Sequence, residues 1–202
     1  MKPMEIEQKS FEIITGELTV PLQAGTEDIV KRVIHATADF DYAENLAFSP
    51  DAVQIARAAL SDGCDIVTDT EMAKAGINKK ILAQLGGEAH CFVGDESVAR
   101  EALERGVTRS AVGMERAALL QKPCIFAIGN APTALLSLLD LAEAGKIKPA
   151  LVIGAPVGFV HVVESKERLI ASGVPYIAAR GRKGGSNVAA AIVNALLYGI
   201  RR

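Results

Sequence analysis

The chain has 202 residues, half of them hydrophobic but only 4% aromatic, and a formal net charge of −2. That length fits one large domain, able to bury about 70% of its unfolded surface without disulfide or metal staples. The charge argues against a general nucleic-acid binder, and no apolar run approaches the ~20 residues of a membrane-spanning helix.

The opening MKPMEIEQKSFEII is charged and lacks the apolar core of a secretory signal, so a cytoplasmic protein is expected. Ile6, Phe11, Ile13, Ile14 and Leu18 recur at loosely helical spacing across Met4–Leu18. After a turn around Pro21–Gly25, Thr26 is placed to cap a helix. Glu27 and Asp28 then sit near its positive end, and Ile29, Val30, Val33 and Ile34 form its apolar stripe. Ser49-Pro50 reads as a cap followed by proline opening another helix, with Gly63 past its end.

From there short strands are predicted at Asp65–Thr68, Ala89–Val93, Cys124–Ile128, Ala150–Ile153 and Pro175–Ala179. They alternate with helices at Glu96–Arg105, Thr108–Leu120, Pro132–Ala144, Ser165–Ala171 and Asn187–Tyr198. Alternation of this kind builds right-handed crossovers. The expected architecture is a single three-layer α/β domain over residues 1–202 with a mainly parallel central sheet. Cys64, Cys91 and Cys124 sit in or beside apolar runs and form no CxxC pair, so they read as buried free thiols in a reducing compartment.

Ligands of such sheets bind beyond the carboxyl ends of the strands, where the strand order switches. Three loops there begin with glycine: Gly129-Asn-Ala-Pro-Thr133, Gly154-Ala-Pro-Val-Gly158 and Gly181-Arg-Lys-Gly-Gly-Ser186. The first and third lead into helices, whose starts offer backbone N–H groups to an anion. Arg180, Arg182 and Lys183 add positive charge. Neither GxGxxG nor a GK[ST] P-loop is present, so dinucleotide and NTP enzymes lack their fingerprints. The histidines and cysteines are not spaced to hold a metal, and Ser110 and Ser186 lie in no GxSxG elbow.

His90 begins a predicted strand and reads as structural, and His161 follows Gly158-Phe-Val in a ligand-facing loop. His35 ends an apolar helical stripe with Arg32 three residues earlier on the same face. Asp39, Asp41 and Glu44 after it read as a solvated helix end.

Several strings occur here in a fixed order. They are Ser10-Phe11 with Ile13-Ile14, Arg32-Val-Ile-His35-Ala, Phe48-Ser-Pro-Asp51, Asp69-Thr-Glu-Met72 and Thr108-Arg-Ser110. Ile128-Gly-Asn-Ala-Pro-Thr-Ala-Leu135, Gly154-Ala-Pro-Val-Gly-Phe-Val160 with Glu164-Ser-Lys166, and Arg180-Gly-Arg-Lys-Gly-Gly-Ser186 follow. Over nearly its whole length the chain resembles the precorrin-8X methylmutase family, including the cobalt-precorrin-8 enzymes. The resemblance implies a homodimeric α/β isomerase of cobalamin biosynthesis, moving a methyl group from C-11 to C-12 of a corrin precursor to give hydrogenobyrinate or its cobalt counterpart. It implies His35 as the catalytic histidine and Ser10 and Arg32 as substrate-contacting residues. Arg109, Asn130, Val157, Gly158, Phe159, Arg180, Lys183 and Gly184 are expected to hold the substrate's peripheral carboxylates. No cofactor is expected, since a methyl shift within a conjugated ring needs neither redox carrier nor methyl donor.

Imidazole suits proton transfer near neutral pH. Carboxylates brought by the ligand favour its charged form, so substrate binding is expected to charge His35. Two other readings compete: a non-catalytic corrinoid carrier, and a sugar-phosphate or nucleotide enzyme using the same glycine loops. Turnover separates the first from a methylmutase, and phosphate protection of the loops would mark the second.

Overall fold

Alternation within the strands decides the layering. In β4 (Cys124–Ile128), Ile125 and Ala127 belong to one hydrophobic cluster while Phe126 and Ile128 belong to another. The same split divides Ile66 from Val67 in β2 (Asp65–Thr68) and Leu151 and Ile153 from Val152 in β5 (Leu151–Gly154). Ile177 and Ala179 part likewise from Ala178 in β6 (Tyr176–Ala179). A strand buried on both faces needs cover on both, and helices supply it. In the computed structural model, which describes residues 3–200, the sheet is the middle of three layers.

One face is covered by α1 (Pro3–Glu17), α2 (Glu27–Thr37), α4 (Ala52–Ser61) and the C-terminal α11 (Ser186–Ile200), which buries ten residues. The other carries α8 (Arg109–Ala117), α9 (Pro132–Glu143) and α10 (Val162–Ala171), with α7 (Glu96–Arg105) packed on α8. Short helices α3 (Tyr42–Asn45), α5 (Glu71–Gly76) and α6 (Lys79–Gln84) fill connections that the sequence pattern did not reveal. Among the described residues, no helix is long and apolar enough to cross a membrane.

The sheet has six strands in the order β1-β6-β5-β4-β2-β3, where β1 is Leu46–Phe48 and β3 is Ala89–His90. Strands β2 to β6 are parallel, and β1 runs antiparallel along β6. From β2 the chain steps outward to β3 and then returns to lay β4 on the opposite side of β2. The strand order therefore reverses between β2 and β4, which makes their carboxyl ends the natural place for a ligand.

Some local expectations are corrected. Thr26 precedes α2, but its hydroxyl donates to the Gln23 carbonyl instead of capping the helix. Ser49 does not open α4 either. Its Oγ accepts from the Tyr176 amide at 2.9 Å, stitching β1 to β6, and Asp51 takes the cap position with φ of 54°. The predicted strand over Ala89–Val93 stops at His90. His90 does serve structure: its Nε2 lies 3.0 Å from an Asp65 carboxylate oxygen. All three cysteines are free and buried. Burial pushes the Cys64 thiol up to about 12 and that of Cys124 up to about 11.

Phe126 is fully inaccessible at the centre of the α8–α9–α10 face. Phe126→Ala is expected to cost about 3–5 kcal/mol, read as a lower midpoint in urea denaturation with an unchanged slope.

Candidate active site

Asp69 follows β2 directly and is 2% exposed. One carboxylate oxygen accepts from the Gly129 amide at 2.8 Å, and the other from the Asn130 and Ala131 amides at 2.8 and 2.6 Å. Burial pushes this carboxyl above its ordinary value, against the pull of the three amides. The clamp joins the two strand ends at the reversal of strand order. It also corrects the expectation that this loop offers free N–H groups to a ligand, because Asp69 already fills that anion site from within. What the loop can present is the exposed Asn130 side chain.

The neighbouring loops are stitched to the same frame. Thr70 and Ser186 hydroxyls meet at 2.7 Å. A Cβ on Gly129 would lie 2.7 Å from the Ser186 Cα, so the start of α11 can abut β4 only through a glycine. Gly185 donates its amide to the Ala155 carbonyl at 2.9 Å, and Gly184 lies so close to that carbonyl that no side chain fits. Gly158 donates to the Arg182 carbonyl at 3.2 Å. These amides, too, are spent inside the protein.

Cationic side chains stand around these loops. Arg109 is exposed in the first turn of α8, whose cap residue Thr108 reaches Thr133 at 3.0 Å and so ties that helix start to the Asn130 loop. Arg182 lies over the Phe159 ring at 5.4 Å. Neither arginine has an ion pair among the described residues. Arg180 pairs with Glu167 at 3.2 Å. Lys183 is held by Asp39 at 2.7 Å and Asp41 at 2.6 Å, so these two acids form no merely solvated helix end. The ammonium holds the Asp39 carboxyl below its ordinary value. Beside these cations, Val157, Phe159 and Val160 stand exposed, Phe159 by 81%.

His35 stands on a different wall. It is exposed in the last turn of α2, its ring 5.5 Å from that of Phe11 on α1. A cavity of about 460 Å³ opens there, lined by Ile6, Glu7, Arg32, His35 and Tyr198. Arg32 lies between the Phe11 and Tyr198 rings and pairs with Glu7, so its charge is already balanced. Ser10 is one turn from Glu7 and donates its hydroxyl back to the Ile6 carbonyl.

The predicted residues thus gather in two groups. Ser10, Arg32 and His35 share the α1–α2 wall; Asn130, Val157, Gly158, Phe159, Arg180, Lys183 and Gly184 belong to the strand-end loops, and Arg109 at the start of α8 is tied to them through Thr108 and Thr133. The bridge between them is the short segment carrying Asp39 and Asp41, clasped to Lys183. Sequence reasoning missed Asp69, Tyr198 and the fully buried Lys166, although Asp69 and Lys166 lie inside motif strings. Among the described residues, no group of three His, Cys, Asp or Glu is arranged to hold a metal ion.

A family model described as precorrin-8X methylmutase matches residues 5–199. A cobalt-precorrin-8 methylmutase of Salmonella typhimurium is 48% identical, covering 99% of this chain and 97% of the relative. A precorrin-8X methylmutase of Pseudomonas aeruginosa is 43% identical over 95% of this chain and 93% of its own. Among solved structures, a precorrin-8X methyl mutase from Thermus thermophilus superposes with a TM-score of 0.88 at 36% identity, covering 97% of each chain.

The Asp69 clamp can be tested alone. Asp69→Asn retains one acceptor oxygen for three amides, and a buried N–H left unpaired costs about 1–3 kcal/mol. Thermal unfolding is expected at lower temperature, with faster hydrogen exchange concentrated at Gly129, Asn130 and Ala131.

Proposed function

The chain belongs to the precorrin-8X methylmutase family, methyl-shifting isomerases of cobalamin biosynthesis, and we propose that it shifts a methyl from C-11 to C-12 of precorrin-8X or cobalt-precorrin-8 with His35 as proton donor. The product is hydrogenobyrinate or its cobalt counterpart. The working unit proposed is a cytoplasmic homodimer in which residues 1–202 form one methylmutase domain.

The observation that carries this reading is the placement of His35: an exposed imidazole against Phe11, at the rim of an open cavity. A proton given to a ring nitrogen makes the adjoining carbon electron-poor and eases migration of the methyl group. Glu7 balances Arg32, so that arginine's charge does not stand uncompensated beside the imidazole when it takes up a proton. A substrate carboxylate reaching Arg32 must displace Glu7, and Ser10 adds a hydroxyl on the same wall.

The strand-end loops suit the periphery of the substrate. Arg109 and Arg182, which have no ion pair among the described residues, are assigned to its carboxylates, with Arg180, Lys183 and Asn130 beside them. Val157, Gly158, Phe159 and Gly184 give an apolar and closely approachable surface for the flat ring. One chain leaves the His35 cavity open, and Ile6 and Ile13 stand exposed on α1. A second copy packing there would cover both, which is the physical argument for the dimer.

The test is incubation with metal-free and cobalt-containing substrate, following the absorbance shift as ring conjugation extends. His35→Ala is expected to lower turnover by ~10²–10⁴-fold while still binding the pigment. Pigment binding with no turnover by the unaltered protein overturns the enzyme reading in favour of a carrier. Light scattering at micromolar concentration is expected to give twice the chain mass, and a monomer retaining full activity removes the dimer.

A further inference from the structure

Lys166, on α10, is the largest charged side chain that the fold removes completely from solvent, with 0% exposure. Among the described residues, no carboxylate pairs with it. Its ammonium donates to two backbone carbonyls, those of Gly181 at 2.9 Å and Lys183 at 2.8 Å. Burial draws its pKa down to about 8. A side chain needed only to fill space here would be better served by Leu or Met, because an unpaired buried cation is costly. The ammonium is therefore retained for its two acceptors.

Those acceptors lie in the loop between β6 and α11, which carries Arg180, Arg182 and Lys183. The loop is anchored at its far end, where Gly185 bonds Ala155 and Gly184 is pressed on the same carbonyl. Its other ties are the Arg180 amide on the Asn45 carbonyl, the Arg180 side chain on Glu167, the Gly158 amide on the Arg182 carbonyl and the Lys183 side chain on Asp39 and Asp41. Lys166 thus holds the carbonyls of the residues on either side of Arg182, and Arg182 stands exposed between them. Arg180 and Lys183 are balanced by acids, whereas among the described residues Arg182 and Lys166 have none, so the loop keeps a positive charge that an anion over it would relieve.

We propose that Lys166 is a positioning residue: gripping the carbonyls of Gly181 and Lys183, it aims the Arg182 guanidinium across Phe159 at a carboxylate of the tetrapyrrole substrate. This rests on the methylmutase reading. Lys166 touches neither the substrate nor the reacting carbons, so its loss acts on binding and leaves the chemistry at His35 alone.

The experiment is a double-mutant cycle on turnover in the full-length protein, using Lys166→Met, Arg182→Ala and the pair. Lys166→Met is expected to raise KM on the order of tenfold with kcat within about twofold, the pattern of lost uniform binding. If Lys166 works through Arg182, the pair is no worse than Arg182→Ala alone, because groups acting as a unit are not additive. A merely structural lysine gives independent losses that multiply, and that result overturns the proposal, as does an unchanged KM in folded Lys166→Met. Should Lys166→Met fail to fold, Lys166→Gln keeps N–H donors in place and enters the same cycle, where non-additive losses support the proposal and multiplying losses overturn it. Absence of turnover in the unaltered protein overturns the methylmutase reading and takes this one with it, whereas full activity there with multiplying losses removes Lys166 alone.

Discussion

Where the strand order reverses, one buried carboxylate receives three successive backbone amides. Asp69 follows the first core strand, and its partners begin the loop sixty residues later. The position is demanding because burial works against the charge while the amides work for it. Everything else at this end of the molecule is arranged around that join. Ser186 meets Thr70 beside it, Gly129 lets α11 approach, and the loops after β5 and β6 are tied in turn through Ala155. The outcome is a floor in which the Gly129, Asn130, Ala131, Gly158 and Gly185 amides are bonded within the protein, with charged side chains facing outward beside them.

That division explains how a protein with net charge of −2 can address a ligand bearing many carboxylates. Most cations near the candidate site already have partners: Arg32 with Glu7, Arg180 with Glu167, Lys183 with Asp39 and Asp41. Among the described residues, Arg109 and Arg182 have no such acid. Pairing the majority limits mutual repulsion in the empty protein and concentrates attraction in a few places. Close ion pairs also order the segments they join, and the clasp of Lys183 fixes the segment after α2 to the loop after β6.

The layered α/β plan was legible because it rests on local signals. Asp65–Thr68 and Cys124–Ile128 fall where the apolar runs put them, and the third strand was only overextended past His90. Leu46–Phe48 was not legible: three residues cannot show alternation, and they become a strand through pairing with β6. The helices α3, α5 and α6 are likewise too short for a periodic stripe. At the site, residue types and glycine loops could be read, and the resemblance supplied His35. Partnerships could not be read. Nothing near Gly129 announces Asp69, nothing near Arg32 announces Glu7, and Lys183 finds its acids more than 140 positions away. Such contacts arise only when distant elements meet, which is why the free-amide expectation failed at the Gly129 loop.

The two outermost strands have a bearing on survival during synthesis. A parallel sheet assembles through contacts distant along the chain and forms slowly, so incomplete intermediates display unpaired backbone that invites neighbouring chains to add on. Here one margin is two residues long and the other three. Margins that short offer almost no template for intermolecular stacking, and the completed sheet ends in ribbons too brief to recruit a stranger.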